Sequence, residues 1–233
     1  ALSPDEIQSR LMALGFSRRQ LRDFQIEDLR RLLALSHGAN FSVPGSGKTT
    51  VTFALHLLVR RPGQHFFVVA PRSAFPAWKD IIDECMGPEA SAEAREPFTV
   101  VEGPDIDAFL RSGATRFLMS YDLMVRNVSS MERYFARQPT HLVLDESHRM
   151  KAGFDSQRGA FLLNVATHPT RRDILTGTPM PQQAGDMVAQ LGFLWPGHGL
   201  DLLISRGKSP REVLGNLYVR TTKAQLQLKA PNR

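Results

Sequence analysis

Short apolar runs alternate along the chain with stretches whose apolar positions recur at helical spacing. The runs are "ANFSV" (39–43), "HFFVVA" (65–70), "FTVV" (98–101), "RFLMS" (116–120), "HLVLD" (141–145) and "DILTG" (173–177). Each is short and rich in β-branched or aromatic side chains, the composition of strands buried on both faces. A helix is predicted over 48–59, closed by "RRPG", where cations and then Pro and Gly stop it. Others are predicted over 105–112, after Pro104 and up to Gly113, and over 155–166, with Phe154, Phe161, Leu162 and Val165 spaced for one face. This alternation predicts an α/β fold: a central, mostly parallel sheet with helices on both faces. Ligands of such sheets bind at the carboxyl ends of strands. A helical segment over 1–36 precedes the first strand, and "MGPEASAEAREP" (86–97) has the Pro, Gly and charge content of an exposed excursion. The chain has no internal repeat and reads as one domain.

Composition narrows the class. At 233 residues, with 42% hydrophobic and 22% charged side chains, the chain can bury one substantial core. The longest apolar stretch, "TVTFALHLLV", is far too short to span a membrane and contains His56. The N-terminus "ALSPDEIQSR" has no apolar core of a secretory signal. Cys85 is the sole cysteine, which excludes a disulfide framework and a thiolate metal cluster. These features lead us to expect a cytoplasmic protein with no membrane partner. A start at Ala1 and an end on "KAPNR" suggest a segment of something longer. The net charge is +6, and residues 201–233 hold seven Lys/Arg against two Asp/Glu. Such an end either faces an anionic polymer or is a solvated surface, and charge alone favours neither.

The chemistry begins at "FSVPGSGKTT" (41–50), which follows a predicted strand and opens a predicted helix. Gly45, Ser46 and Gly47 can aim backbone N–H groups at phosphates, with no Cβ in the way at the glycines. Lys48 supplies a point charge for the β and γ phosphates, and the Thr49 hydroxyl can ligate Mg²⁺, with Thr50 next to it. The helix opening at Lys48 adds the positive end of its dipole. Ser42 occupies the place of the first glycine of the phosphate-loop pattern. A second half-site comes from "HLVLDESH": Asp145 can hold Mg²⁺, and Glu146 can orient and deprotonate an attacking water. Helix capping is the other reading of these adjacent acids. The chain has neither an N-K-x-D guanine motif nor L-S-G-G-Q, so ATP hydrolysis is the favoured reaction.

Taken together and in order, these motifs resemble those of superfamily 2 helicase-like ATPases, and within them the Swi/Snf-type DNA translocases. "LRDFQ" (21–25) is similar to the adenine-reading motif, which assigns Arg22 and Gln25 to the base. "SVPGSGKTT" matches the phosphate motif and "DESH" (145–148) the D-E-x-H box, extended through Arg149 and Lys151. "VVAPRSAFPAW" (68–78), "FLMSYDLM" (117–124) and "LTGTPMPQ" (175–182) resemble further family motifs, and "LYVRTTK" (217–223) resembles the bridge between lobes. The chain departs from the pattern at Ser42, Ser147, Thr221 and in "MPQ" (180–182). The resemblance implies a first RecA-like lobe with a phosphate loop, using ATP and Mg²⁺. It divides the chain into an N-terminal segment with the adenine motif (1–36), the ATP-binding lobe (37–216) and the start of a linker to a second RecA-like lobe (217–233). It implies DNA-backbone contacts from Arg72, Ser73, Ser120 and Tyr121, and coupling of nucleotide to DNA through His148, Thr176 and Thr178. An ordinary surface Arg, a packing Tyr and a structural His are the bland alternatives for Arg72, Tyr121 and His148. Trp78 is read as a packing anchor rather than a base stacker.

Two rival functions stand beside an ATP-dependent translocase on double-stranded DNA. One is the motor of a restriction system, which shares D-E-x-H and T-G-T-P; the Trp-containing "PRSAFPAW" argues against it. The other is a nucleotide-gated DNA-binding module without turnover, against which Lys48, Thr49, Asp145 and Glu146 are all intact. Arg outnumbers Lys by 23 to 6, the balance of a GC-rich bacterial genome. For a bacterial member of the family it resembles, the resemblance implies phage defence, with other subunits of a defence or repair complex as partners. Arginine fingers, which the family carries on the second lobe, contribute on the order of 10³–10⁵ in rate. This lobe by itself is therefore expected to bind ATP weakly and to be nearly inactive. Turnover above about one per second by the purified chain would contradict that.

Overall fold

A computed structural model describes residues 2–150, 155–179 and 184–228. The strands are β1 (Gly38–Asn40), β2 (His65–Ala70), β3 (Thr99–Val100), β4 (Arg116–Ser120), β5 (Thr140–Asp145), β6 (Arg171–Leu175) and β7 (Tyr218–Val219). They form one sheet in the order β3-β4-β2-β5-β6-β1-β7, and every neighbouring pair is parallel. Pleating sends successive side chains of β2 to opposite sides. Phe66, Val68 and Ala70 pack with α1 (Pro4–Ala13), α2 (Asp23–Leu33), α3 (Lys48–Val59) and α4 (Phe75–Cys85). Phe67 and Val69 pack on the other face. That face is covered by α5 (Ile106–Leu110), α6 (Tyr121–Arg126), α7 (Val128–Arg137), α8 (Gln157–Val165), α9 (Val188–Leu194), α10 (Leu200–Ser205) and α11 (Pro210–Leu214). α12 (Lys223–Leu228) follows β7. The α/β expectation holds, and with both faces covered by helices the strands themselves are reached at their ends. Among the described residues no helix is long and apolar enough to cross a membrane.

The differences from the expected elements have physical causes. β6 starts two residues before the predicted run because Arg171 and Arg172 are buried. Arg171 donates to Asp173 at 2.6 Å and to the carbonyls of Leu32 and Leu35, and Arg172 donates to those of Leu194 and Pro169. A buried arginine is tolerated when its donors are filled. The excursion at 86–97 is exposed over most of its length, as expected, but Met86, Ala90 and Ala94 anchor it by burial, and Arg116 donates to the carbonyls of Ala94 and Glu96. The small side chains let this excursion lie on the core. Gly15 shows how closely, since a Cβ there would sit 2.2 Å from that of Ala90. The segment from 217, expected as the start of a linker, supplies the edge strand β7. Phe154, expected on the face of α8, and Lys151 lie outside the described residues.

Away from the strand carboxyl ends the interior holds a polar chain. His141 Nε2 lies 2.7 Å from Asp173 Oδ2, and His56 Nδ1 lies 3.0 Å from His141 Nδ1. Burial alone would raise the Asp173 carboxyl, but the charge of Arg171 and the bond from His141 hold it below its ordinary value. The carboxylate then accepts His141 Nε2–H, which leaves Nδ1 of a neutral His141 to accept from His56. His56 also stacks on Phe66, ring centroids 3.9 Å apart.

Burial depresses the pKa of His37, to about 4, and lowers those of His56, His65 and His141 below 6.5. Below 6.5 the unfolded chain binds protons that the folded chain refuses. This part of the stability is complete above 6.5 and is lost as pH falls toward the folded values. Asp28 and Asp145, raised by burial, act in the opposite sense above 3.8. Four histidines against two carboxyls set the sign. Between about pH 7.5 and about pH 5.5 the unfolding free energy from urea titrations should drop by about 1 kcal/mol or more, since one pK unit is ~1.4 kcal/mol. An unchanged or rising value would contradict this protonation scheme.

Candidate functional site

The carboxyl ends of β1, β5 and β6 lie side by side in the sheet, and the segments leaving them meet. After β1 the chain turns through Pro44–Gly47 into α3. Gly45 and Gly47 have φ of 83° and 81°, in the left-handed region that glycine adopts without a steric cost. At Gly47 the second requirement is space: a Cβ would lie 2.3 Å from Gln25 Nε2. At Gly45 a Cβ would meet nothing within 4 Å, so that side of the loop is open. Ser46 Oγ is buried with no hydrogen-bond partner among the described residues. Lys48 Nζ turns back to the carbonyls of Ser42 and Val43, at 2.8 and 3.4 Å. Burial lowers the Lys48 pKa, against the pull of the Glu146 and Asp145 charges. An open glycine, an unpartnered buried hydroxyl and a half-buried ammonium suit phosphate oxygens.

Gln25 is 8% exposed, and both ends of its amide are bonded. Oε1 accepts the Arg22 N–H at 3.0 Å, and Nε2 donates to Ser46 O at 3.0 Å. Gln25 therefore braces the loop from α2, while the Arg22 side chain is exposed at the start of that helix. Thr49 lies partly exposed on the first turn of α3. Thr50 is buried and accepts Arg19 Nη1–H at 2.9 Å. Arg19 lies outside every quoted motif, and its spacing from the loop carries no sequence signal.

At the end of β5, Asp145 is 8% exposed and each carboxylate oxygen has a partner. The Trp78 indole donates to Oδ2 and the Glu146 N–H to Oδ1, both at 2.9 Å. Burial pushes this carboxyl up, while the indole bond and the Lys48 charge restrain it. Trp78 is fully buried, as an anchor, and its indole N–H also orients Asp145. Glu146 is the one non-glycine residue with positive φ (53°) among the described residues. An L-residue there costs roughly 1–2 kcal/mol, and Glu146 is the member of the acid pair with the more exposed carboxylate. Its Oε2 lies 3.2 Å from His148 Nδ1. The same nitrogen is 2.9 Å from Thr176 Oγ1 and 3.4 Å from Thr178 Oγ1, so the contact expected of His148 is made with both threonines. Thr178 N–H donates to Thr176 Oγ1 at 3.1 Å. Gly177 brings this turn against the phosphate loop, for a Cβ would sit 2.9 Å from Pro44 Cδ. Met180, Pro181 and Gln182 lie outside the described residues.

Two links escape motif reading because they depend on packing. Ser147, fully buried, donates to Gln190 Oε1 at 2.7 Å, and Gln190 Nε2 donates to the carbonyls of Pro179 and Asp186. α9 thereby ties the acidic strand end to the Thr-Gly-Thr-Pro turn. Asp28 of α2, also buried, reaches Thr221 and Ser42.

The expected nucleic-acid residues divide. Arg72 and Ser73 are exposed on a 3-10 turn (Arg72–Ala74) at the carboxyl end of β2. Ser120, at the end of β4, is 8% exposed, and its Oγ accepts Leu123 N–H to cap α6. For Tyr121 the expected surface contact is corrected. The ring is 2% exposed, its hydroxyl donates to Asp145 O at 2.7 Å, and the Arg158 guanidinium lies 5.9 Å from its centroid. Burial drives the phenol pKa well up and keeps it a neutral donor. Tyr121 supports the backbone of the acidic strand end instead of facing outward.

An oxygen donor set suits magnesium, and Thr49 and Asp145 offer one. Among the described residues no cluster of three or more His, Cys, Asp or Glu could hold a metal unaided. Such an ion would need phosphate oxygens to complete its shell.

No family model matches the chain. Helicase SWR1 of Saccharomyces cerevisiae is 30% identical over 193 residues, which are 77% of this chain and 12% of that protein. Probable ATP-dependent DNA helicase CHR23 of Arabidopsis thaliana is 27% identical over 186 residues, 76% of this chain and 17% of that protein. The chain thus spans only 12–17% of the length of these relatives. Among solved structures, the Sulfolobus solfataricus SWI2/SNF2 ATPase core in complex with dsDNA superposes with a TM-score of 0.68 at 19% identity, covering 90% of this chain and 46% of that one. Aligned with such proteins over 76–77% of its residues and folded like one of their cores, the chain belongs to the Swi/Snf-type helicase-like ATPases of superfamily 2, of which it forms a first RecA-like lobe.

Proposed function

We propose that this lobe binds ATP between the loop at Gly45–Thr50 and the acids Asp145 and Glu146, and hydrolyses it within a protein that translocates on double-stranded DNA. The observation that carries the reading is the meeting, at neighbouring strand ends, of a half-buried Lys48, the Asp145–Glu146 pair and the His148–Thr176–Thr178 contacts. Lys48 would leave the carbonyls of Ser42 and Val43 for β and γ phosphate oxygens. The backbone N–H groups around Gly45–Gly47 and the Ser46 hydroxyl would take further oxygens. Arg22, with the second amide proton and second carbonyl lone pair that Gln25 keeps while bracing the loop, would hold the base. Thr49 and Asp145 would hold Mg²⁺, which neutralises charge on the phosphate oxygens when bound. Glu146 would orient a water and take its proton as the water oxygen bonds the γ phosphorus and the bridging oxygen leaves with the diphosphate. His148, beside Glu146 and both threonines, would register occupancy of the site on the Thr-Gly-Thr-Pro turn.

A second RecA-like lobe of the same protein would contribute the arginine finger and close the cleft. Arg72, Ser73 and the remaining hydroxyl proton of Ser120 would meet one DNA strand at its phosphates, positioning it without reading sequence. The likeness to the Sulfolobus core, which was solved with a bound duplex, supports that choice of polymer.

In the complete protein, Glu146→Gln should leave nucleotide affinity nearly unchanged and lower DNA-stimulated turnover by about 10²–10⁴-fold. Lys48→Ala should weaken nucleotide binding itself. Equal turnover in the unmodified and Lys48→Ala proteins would refute the phosphate assignment; tight nucleotide binding with no DNA-stimulated turnover would favour the gated binding module.

DNA affinity, followed by fluorescence anisotropy, should fall steeply with salt. Arg72→Ala should weaken it on every sequence alike and reduce the log–log salt slope by about one. An unchanged slope would remove Arg72 from the DNA path.

A further inference from the structure

Asp28 is a buried acid, 7% exposed, that the hydrolytic scheme leaves unused, and among the described residues no cation reaches ion-pair distance of it. Burial pushes its carboxyl up, against a hydrogen bond from Thr221 and the charge of Arg31. Oδ2 accepts Thr221 Oγ1–H at 3.0 Å and lies 3.5 Å from Ser42 Oγ. Ser42 Oγ in turn accepts the Thr221 N–H at 2.8 Å. Beside this, Phe41 N–H donates to Val219 O at 2.9 Å and Val43 N–H to Thr221 O at 3.0 Å. The chain leaving the sheet after β7 is thus bonded along the residues that lead into the phosphate loop.

One peptide unit joins the two sides. Its carbonyl, Ser42 O, accepts Lys48 Nζ at 2.8 Å, and its N–H, that of Val43, donates to Thr221 O. A cation on the carbonyl polarises the amide and strengthens the N–H as a donor, the cooperativity of linked hydrogen bonds. Drawing Lys48 away removes that polarisation and weakens the hold on Thr221. Asp28 and Ser42 keep Thr221 in register, so the change is felt by the segment that leaves the lobe and not lost in local rearrangement.

We infer that Asp28, Ser42 and Thr221 are positioning residues that transmit the placement of Lys48 to the chain leaving the sheet at residue 221, an inference that rests on the phosphate reading of the loop. Binding of nucleotide loosens residues 219–223, and an empty loop holds them. The device acts through the peptide unit between Lys48 and Thr221, and of its members only Lys48 is placed against the nucleotide.

Hydrogen exchange of the complete protein with and without a non-hydrolysable ATP analogue and Mg²⁺ tests this. In the unmodified protein the analogue should speed exchange of the Thr221 amide, whose bond to Ser42 Oγ loosens together with the Val43 N–H bond to Thr221 O, by roughly fivefold in peptides covering 219–223, the factor that one hydrogen bond contributes. Thr221→Val, which removes the hydroxyl bonded to Asp28 at nearly constant volume, should exchange fast with or without analogue while still binding it. Thr221→Ser should restore the difference. Ser42→Ala, which removes the acceptor of the Thr221 N–H, provides the same reading if the valine variant fails to fold. Analogue binding with no change at 219–223, or a Thr221→Val response equal to that of the unmodified protein, would overturn the inference and leave the phosphate reading standing. Failure of the unmodified protein to bind the analogue would overturn both.

Discussion

A half-buried ammonium with backbone carbonyls for partners is the interaction on which this lobe depends. Lys48 is drawn out of water at the mouth of α3, bonded to Ser42 O and Val43 O, and in the field of Asp145 and Glu146. Burial penalises such a cation, and two neutral carbonyls return only part of its lost hydration. The arrangement is therefore poised for a stronger anionic partner. Every other feature of the site either aims that charge or keeps the opposing acids in place.

The acids are held from behind. Asp145 is gripped by the Trp78 indole and the Glu146 amide, and its own carbonyl by Tyr121. Ser147 and Gln190 bind the next peptide to the Pro179 carbonyl. These partners come from α4, α6 and α9, on both faces of the sheet. A strained Glu146 at φ 53° persists because the residues on either side of it are fixed. Positioning from behind of this kind would serve the acid–base role proposed for Glu146, whose groups would have to hold geometry without reorganising.

A second buried polar chain, from Arg171 through Asp173 and His141 to His56, occupies another part of the core, at the start of β6 and β5. It is internally satisfied and charge-balanced. The Arg171–His56 chain thus closes its hydrogen bonds within the protein, whereas at the loop before α3 Lys48 has only neutral carbonyls and the buried Ser46 hydroxyl has no partner among the described residues.

The chain's own order of residues determined the alternation of strands and helices, the full extent of α3 and the identity of the phosphate and acidic motifs, because these depend on local spacing and on residue chemistry that neighbours cannot change. Arg72 and Ser73, which the family resemblance singled out, stand exposed on a turn just past β2. Tertiary structure alone decided the fate of Tyr121, whose hydroxyl suits a phosphate or a carbonyl equally well until α6 turns it inward. It alone moved β6 onto two buried arginines, since a charged pair signals a strand only when distant carbonyls accept its protons. It alone brought Asp28, 193 residues from Thr221, into contact with it: a hydrogen bond between segments so far apart leaves no periodicity or spacing for a sequence to display.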